Sequence, residues 1–167
     1  MNRRLSLRAG ASALGLIALL AAGCAAPPRR ASEAEPRWSG RLSVQVQGER
    51  GQSFSAGFDL RGSAQAGDLE LRTPLGQTAA VLQWSPQGAR LQAPGQAERR
   101  AASLDELILQ VMGTPVPVAA LFDWLAGTPT ATQGWQADLS RRAQGRLHAR
   151  RLASPAADLR LVLEEQP

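Results

Sequence analysis

The residue with the clearest potential for covalent chemistry is Cys24, the only cysteine of the chain. It follows Ala22 and Gly23, which close an apolar run beginning at Ala9, and arginines stand before that run at positions 3, 4 and 8. A positive segment, a short apolar segment and small residues before a cysteine are typical of a bacterial lipoprotein signal. We therefore expect cleavage after Gly23 and a diacylglycerol on the Cys24 thiol.

Two other interpretations of this segment are an uncleaved anchor helix and an ordinary secreted protein with a free thiol. The apolar run from Ala9 to Ala22 is shorter than the roughly 20 residues that a membrane span needs. Ala25 and Ala26 follow the cysteine where an aspartate would indicate retention in the inner membrane, by analogy with known lipoprotein sorting. The expected location is thus the outer membrane, with the chain anchored by its lipid and facing the periplasm.

Other catalytic chemistry finds little support in the sequence. His148 is the only histidine and lies in an arginine-rich strand pattern, so it is interpreted as a surface or edge residue. Ser53 does not form a nucleophile elbow, because Ser55 stands where the closing glycine belongs. One histidine and one acylated cysteine cannot make a metal-ligand set. We expect no enzymatic activity, no metal and no cofactor apart from the covalent lipid on Cys24.

The formal charge of +5 does not indicate a nucleic-acid-binding protein. Loss of the first 23 residues would leave 16 arginines against 14 carboxylates, a net charge of +2, and the chain contains no lysine. The remaining arginines are scattered singly or in pairs without interleaved aromatic residues, which is typical of a solvated surface. We expect no nucleic-acid partner.

The chain divides into three segments at the sequence level. Residues 1–23 are the predicted signal peptide, and residues 24–36 hold three prolines and no large apolar side chain, which predicts an acylated tether. Residues 37–167 suit one domain with its own core. We expect this domain to be a monomer.

Apolar residues recur at every second position after the tether, which predicts half-buried antiparallel strands. Glycine-rich and proline-containing turns separate the strands at hairpin distance, so the first half is predicted to be a meander. Further strand signals return near the C-terminus. The predicted strands include Leu42–Val46, Phe54–Leu60, Leu69–Leu71, Thr78–Trp84, Ala89–Ala93, Trp135–Leu139, Arg146–Leu152 and Leu159–Leu163.

Between the two groups of strands, the apolar period changes to that of a helix. Ser103 and Glu106 form a capping box, and apolar residues continue at helical spacing from Leu104 to Gly113. Pro117 suits a first helical position, and a second helical pattern runs from Val118 to Gly127.

These elements predict an α+β, mainly β fold, namely an unclosed antiparallel β-barrel with a lid of short helices. One apolar face of a curled sheet needs a cover, and the two helices are the only cover available. The enclosed space is either a filled core or a pocket for an apolar guest. With 44% hydrophobic residues and few aromatic ones, composition leaves both interpretations open.

The turn Thr73-Pro74-Leu75-Gly76 places an apolar residue at its tip. Pro74 presets the second turn position and Gly76 tolerates a positive φ, so Leu75 is predicted to project into solvent. It either folds back onto the sheet edge or inserts into lipid. Burial of a leucine is worth about 1.5–3 kcal/mol, enough to bias docking to a membrane.

Several segments together resemble the LolB family of outer-membrane lipoprotein receptors. The specific ones are the Thr-Pro-Leu-Gly turn and the Gly-x-Pro-x-Pro segment from Gly113 to Pro117 ahead of Trp124-Leu125-Ala126-Gly127. Trp38-Ser39-Gly40-Arg41-Leu42, Phe54 to Phe58 and the strand before the turn are also similar. The resemblance covers most of residues 38–139, whereas the C-terminal part is shorter than the family leads us to expect and lacks tyrosine.

The resemblance implies that an apolar cavity accepts the acyl chains of cargo lipoproteins from the periplasmic carrier LolA and releases them into outer-membrane lipid. It also implies that Pro74, Leu75 and Gly76 form a membrane-insertion loop. The alternative function is a membrane-anchored assembly scaffold with a filled core and a protein-binding face. Candidate cavity residues are Leu42, Val44, Val46, Phe54, Phe58, Leu69, Leu71, Leu82, Trp84, Leu107, Ile108, Val111, Leu121, Phe122 and Leu125.

Overall fold

The computed structural model describes residues 35–48 and 53–164. Cys24, the signal-peptide prediction for residues 1–23 and all of the predicted tether before residue 35 lie outside the described residues. Neither of the two α-helices in the described part is long and apolar enough to span a bilayer.

Within the described residues, nine antiparallel strands form one sheet. The order across the sheet is β6-β5-β4-β3-β2-β1-β9-β8-β7, so the first six strands form a meander and the last three join it through β1. The bounds are Arg37–Val46 (β1), Ser53–Gly62 (β2), Gly67–Arg72 (β3), Thr78–Ser85 (β4), Gly88–Gln92 (β5), Arg99–Ala101 (β6), Trp135–Asp138 (β7), Arg146–Arg151 (β8) and Ala157–Leu163 (β9).

The alternation of apolar residues explains which face of the sheet is covered. Leu42, Val44 and Val46 of β1 are buried, whereas Arg41 before Leu42 and Gln45 between the two valines are exposed. The strands β6 and β7 lie at opposite edges and are not paired with each other. The sheet is therefore unclosed, as the sequence predicts.

Two α-helices lie between the meander and the C-terminal strands in the chain: α1 (Leu104–Met112) and α2 (Val118–Ala126). Ser103 caps α1 by accepting a hydrogen bond from the Glu106 amide at 3.2 Å. Glu106 in turn accepts one from the amide of Ala102 rather than that of Ser103. The predicted capping box is thus present with its return bond shifted by one residue.

The second helix begins one residue later than the sequence predicts. Pro117 is its N-cap rather than its first helical residue, and its carbonyl accepts the first helical bond from Leu121 at 2.9 Å. Both helices end at a glycine in the left-handed conformation, Gly113 with φ +70° and Gly127 with φ +89°. That conformation favours glycine, which explains why the helical patterns stop there.

Candidate functional site

A cavity of about 580 Å³ lies between the inner face of the sheet and the helices. Its walls come from β1 to β6, from both helices, from the segment joining them, and from β7 and β9. Phe54, Gln96 and Arg99 line it and are exposed, so the cavity opens to solvent beside them. Its volume falls within the roughly 300–1,000 Å³ that is usual for small-molecule pockets.

Ten of the fifteen predicted cavity residues line this space, and all ten are apolar. Those of the sheet reach it because alternate residues of a strand share one face. Those of the helices reach it because their positions repeat at helical spacing. The ten are Leu42, Val44, Phe54, Leu69, Leu71, Leu82, Leu107, Ile108, Val111 and Leu121.

The other five predicted cavity residues, Val46, Phe58, Trp84, Phe122 and Leu125, do not line this cavity. Four of them are buried in the core, and Phe122 packs against that core. Phe122 contacts Trp38 at 5.6 Å and Trp84 at 6.3 Å between ring centroids. We call Trp38, Trp84 and Phe122 the aromatic cluster. The three rings therefore fill this part of the space between the sheet and the helices.

Helix α2 faces both the cavity and the aromatic cluster. Leu121 lines the cavity, whereas its neighbour Phe122 contacts the two tryptophans. Successive helical residues point about 100° apart, so one short helix covers both. Trp124 and Leu125, which are 1% and 0% exposed, anchor the helix in the core.

Further residues line the cavity that the sequence patterns did not single out as site residues. Val116 belongs to the Gly-x-Pro-x-Pro segment, whereas Trp135, Leu91 and Ala80 belong to predicted strands. A general rule that every inward strand residue is a candidate would have found the last three. The polar residues of the lining are Gln96, Arg99 and Thr114, and the remaining apolar ones are Ala79, Ala93, Met112, Ala157 and Leu159.

The turn between β3 and β4 projects Leu75, whose exposure is 87%. The Gly76 amide donates to the Thr73 carbonyl at 2.9 Å, and the Thr73 amide donates to the Gln77 carbonyl at 2.8 Å. Gly76 has φ +80°, a conformation that favours glycine. The hydrogen bonds define the turn, and Leu75 does not fold back onto the sheet.

An ion cluster lies on the opposite, outer face of the sheet. Asp59 is only 5% exposed although strand alternation places it outward, because Arg37 and Arg61 lie over it. Hydrogen bonding from Arg37 lowers the pKa of Asp59 below its ordinary value, against the opposing effect of burial. On β3, the pKa of Glu70 is also lowered, mostly by its hydrogen bonds from Arg72 and to a lesser extent by the one from Thr78.

His148 lies on β8, an interior strand of the sheet, and its Nε2 is 2.7 Å from Asp158 Oδ2. The histidine side chain is 33% exposed, so it is a surface residue but not one at a sheet edge. Among the described residues, no group of three or more histidine, cysteine or carboxylate side chains could hold a metal ion.

Comparison with known proteins gives a consistent match. The family model for the outer membrane lipoprotein LolB matches residues 36–157. An outer-membrane lipoprotein LolB of Ralstonia nicotianae is 38% identical over 147 residues, which cover 82% of this chain and 69% of the relative. That of Cupriavidus taiwanensis is 37% identical over 88% of this chain and 73% of the relative. That of Bordetella petrii is 37% identical over 80% of this chain and 69% of the relative.

Proposed function

The chain belongs to the LolB family of outer-membrane lipoproteins, and from this we propose that it accepts the acyl chains of lipoproteins and inserts those lipoproteins into the outer membrane. The partners in this proposal are a periplasmic carrier of the LolA type, its cargo lipoproteins and outer-membrane lipid. The protein acts as a monomer, and no covalent step, metal or cofactor is required.

The observation that carries this proposal is the aliphatic cavity beneath the helices. Apolar side chains make up most of its lining, and such a space favours an apolar guest over water. Transfer of hydrocarbon from water into apolar surroundings contributes about 0.8 kcal/mol per methylene. Delivery is then favourable when the free energy of the acyl chains is lower in the bilayer than in the cavity.

The hand-over is tested with a photo-crosslinking amino acid in place of Leu121, which lines the cavity. Cargo lipoprotein with labelled acyl chains is presented on the carrier, and the crosslinked product is analysed by mass spectrometry. We expect the label to be attached at position 121. The matched control is the same crosslinker at Val162, an apolar residue that is 51% exposed on β9 and does not line the cavity.

Attachment of acyl label at position 121 and not at position 162 supports the proposal. Crosslinks from position 121 only to the polypeptide of a partner would instead indicate an assembly scaffold and would overturn it. Equal acyl labelling at both positions would show non-specific adsorption and would also contradict a cavity.

We propose that the loop Pro74, Leu75 and Gly76 assists insertion by placing Leu75 in the bilayer. Burial of a leucine is worth about 1.5–3 kcal/mol, which corresponds to a roughly ten- to hundredfold effect. Leu75→Glu should therefore leave acyl capture at position 121 intact and slow release into liposomes about tenfold. Leu75→Met keeps an apolar tip and is the control, and unchanged release by the Leu75→Glu variant would remove the loop from the mechanism.

The anchor belongs to the same proposal. Cleavage of residues 1–23, acylation of Cys24 and a tether to residue 36 would hold the domain 37–167 at the membrane surface. Mass spectrometry of the mature N-terminus should show an acylated Cys24. A protein that retains Met1 and an unmodified thiol would contradict this part of the proposal.

A further inference from the structure

A recess of about 230 Å³ lies at the base of the Leu75 loop. The strand register places Arg41 of β1 opposite Gly57 of β2, and Gly57 opposite Arg72 of β3. Directly opposed residues share one face of a sheet. The two arginines therefore flank a position that has no side chain, and Thr73 and Pro74 of the loop also line the recess.

The backbone at position 57 does not require glycine. Its φ lies outside the left-handed region, and an added Cβ would meet its nearest neighbour, the Cβ of Arg72, at 3.7 Å, an ordinary contact. Other glycines of the sheet differ, because a Cβ at Gly67 would lie 2.2 Å from the Arg61 carbonyl oxygen. What glycine supplies at position 57 is open space between two cationic side chains.

The two arginines differ in how they are held. Arg72 donates from Nε and Nη2 to the Glu70 carboxylate at 3.1 and 3.0 Å, and its Nη2 lies 3.8 Å from Asp59 Oδ2. These contacts fix the guanidinium, and its Nη1 donors make no hydrogen bond within the described residues. Arg41 is exposed and has no hydrogen-bond or ion-pair partner for its side chain within residues 35–48 and 53–164. Glu164 also lines the recess, and together with Glu70 and Asp59, which lie beside Arg72, it is a carboxylate that would oppose an anion there.

The position of the recess relative to Leu75 matches the depth of a membrane interface. Leu75 lies three positions after Arg72 in the chain, a reach of at most about 10 Å. Apolar groups of interfacial proteins enter about 5–10 Å beyond the headgroup boundary. When the Leu75 tip reaches the acyl region, Arg41 and Arg72 lie at the level of the lipid phosphates.

We propose that this recess binds the phosphate of a membrane phospholipid headgroup and so orients the loop on the bilayer. Guanidinium groups bind phosphate oxygens through charge-assisted and often bidentate hydrogen bonds. The inference deepens the proposed function of the loop and rests on it. It predicts that docking depends on phosphate as well as on the apolar tip.

The test measures binding of residues 24–167 with Cys24→Ala, so that no lipid anchor contributes, to vesicles by co-sedimentation. One set of vesicles is phosphatidylcholine and the other is digalactosyldiacylglycerol with the same acyl chains. Both lipids are uncharged overall, and only the first carries phosphate. We expect tighter binding to the phosphatidylcholine vesicles.

Gly57→Leu fills the recess and should weaken binding to phosphatidylcholine by up to about fivefold, the effect of losing one solvent-exposed ion pair. Its binding to the galactolipid should not change. Arg41→Gln replaces an exposed side chain and should give the same pattern. Glu164→Gln removes a repulsive charge and should strengthen binding to phosphatidylcholine only.

Equal binding of the parent chain to both lipids, or equal loss on both lipids in Gly57→Leu and Arg41→Gln, would overturn the phosphate site. Competition by inorganic phosphate together with no preference for phosphate-bearing vesicles would show a free-phosphate site and would also overturn it. Failure of the acyl-capture experiment at position 121 would remove the proposed function but would leave these lipid preferences measurable. The two results are therefore distinguishable.

Discussion

The space between sheet and helices contains two regions with opposite packing. The aromatic cluster of Trp38, Trp84 and Phe122 fills its region with rings, whereas the cavity is lined mainly by aliphatic side chains and remains open. Both regions draw on the same strand and the same helix, since β4 supplies Trp84 and Leu82 and α2 supplies Phe122 and Leu121.

This difference indicates how a small domain can keep a void without losing its fold. Most protein interiors are packed as densely as organic crystals, and an open volume loses contacts that would otherwise stabilise the fold. In this protein the dense packing lies outside the cavity, in the aromatic cluster and at Phe58 and Leu60, which are 3% and 6% exposed. We infer that the packed region provides the stability and the cavity region provides the function.

The largest effect on stability should come from Trp84→Ala. The side chain is 6% exposed, and its Nε1 donates to the Ser63 carbonyl at 2.9 Å, so truncation loses both packing and a hydrogen bond. We expect a loss of about 3–5 kcal/mol in the free energy of unfolding, measured by urea denaturation.

The matched variant is Leu82→Ala, two residues earlier on the same face of β4. Leu82 lines the cavity and already lacks neighbours on one side, so its truncation should cost only about 1 kcal/mol. Equal costs at positions 82 and 84 would show that the two regions do not differ energetically, and the comparison would fail.

A smaller effect should come from Asp59→Asn, on the outer face behind the packed region. The variant keeps the shape but loses the charge that Arg37 and Arg61 bind, and both arginines are about half exposed, which limits the cost to about 1–2 kcal/mol. Because the folded-state pKa of Asp59 is lowered, its contribution is present above the unfolded value near 3.8 and is lost as the pH falls through the folded value.

Urea denaturation between pH 6 and pH 2.5 checks this prediction. Stability of the parent chain should fall in the acid range more steeply than that of Asp59→Asn. The control is Asp68→Asn, on the outer face of β3, because Asp68 makes no salt bridge within the described residues and interacts with Arg37 only at longer range. Parallel pH profiles for the parent and Asp59→Asn would show that the ion cluster does not stabilise the packed region.

The sequence predicts structural features well where they depend only on neighbouring residues. The cap at Ser103, the stops at Gly113 and Gly127 and the exposure of Leu75 all follow from residues within one turn of each other. The alternation in β1 and β2 likewise identifies the inner face. These features need no knowledge of distant contacts.

Features that depend on distant contacts could not be predicted in the same way. Alternation places Asp59 outward, and its burial depends in part on Arg37, which lies 22 residues earlier in the chain. Helical spacing marks both Leu121 and Phe122 as inward, but it does not tell which one meets the tryptophans. The short strand Arg99–Ala101 is polar and is defined by its pairing with β5.

The smallest effect on stability should come from Leu121→Trp, which distinguishes the two regions by function. The cavity has room for the larger ring, so the free energy of unfolding should change by less than about 1 kcal/mol, whereas Phe122→Trp in the packed region should cost about 1–3 kcal/mol. Because the new ring occupies the cavity, uptake of a fluorescent fatty acid should fall about tenfold in Leu121→Trp and stay unchanged in Phe122→Trp. The reverse pattern would show that the apolar guest binds near the aromatic cluster rather than in the cavity.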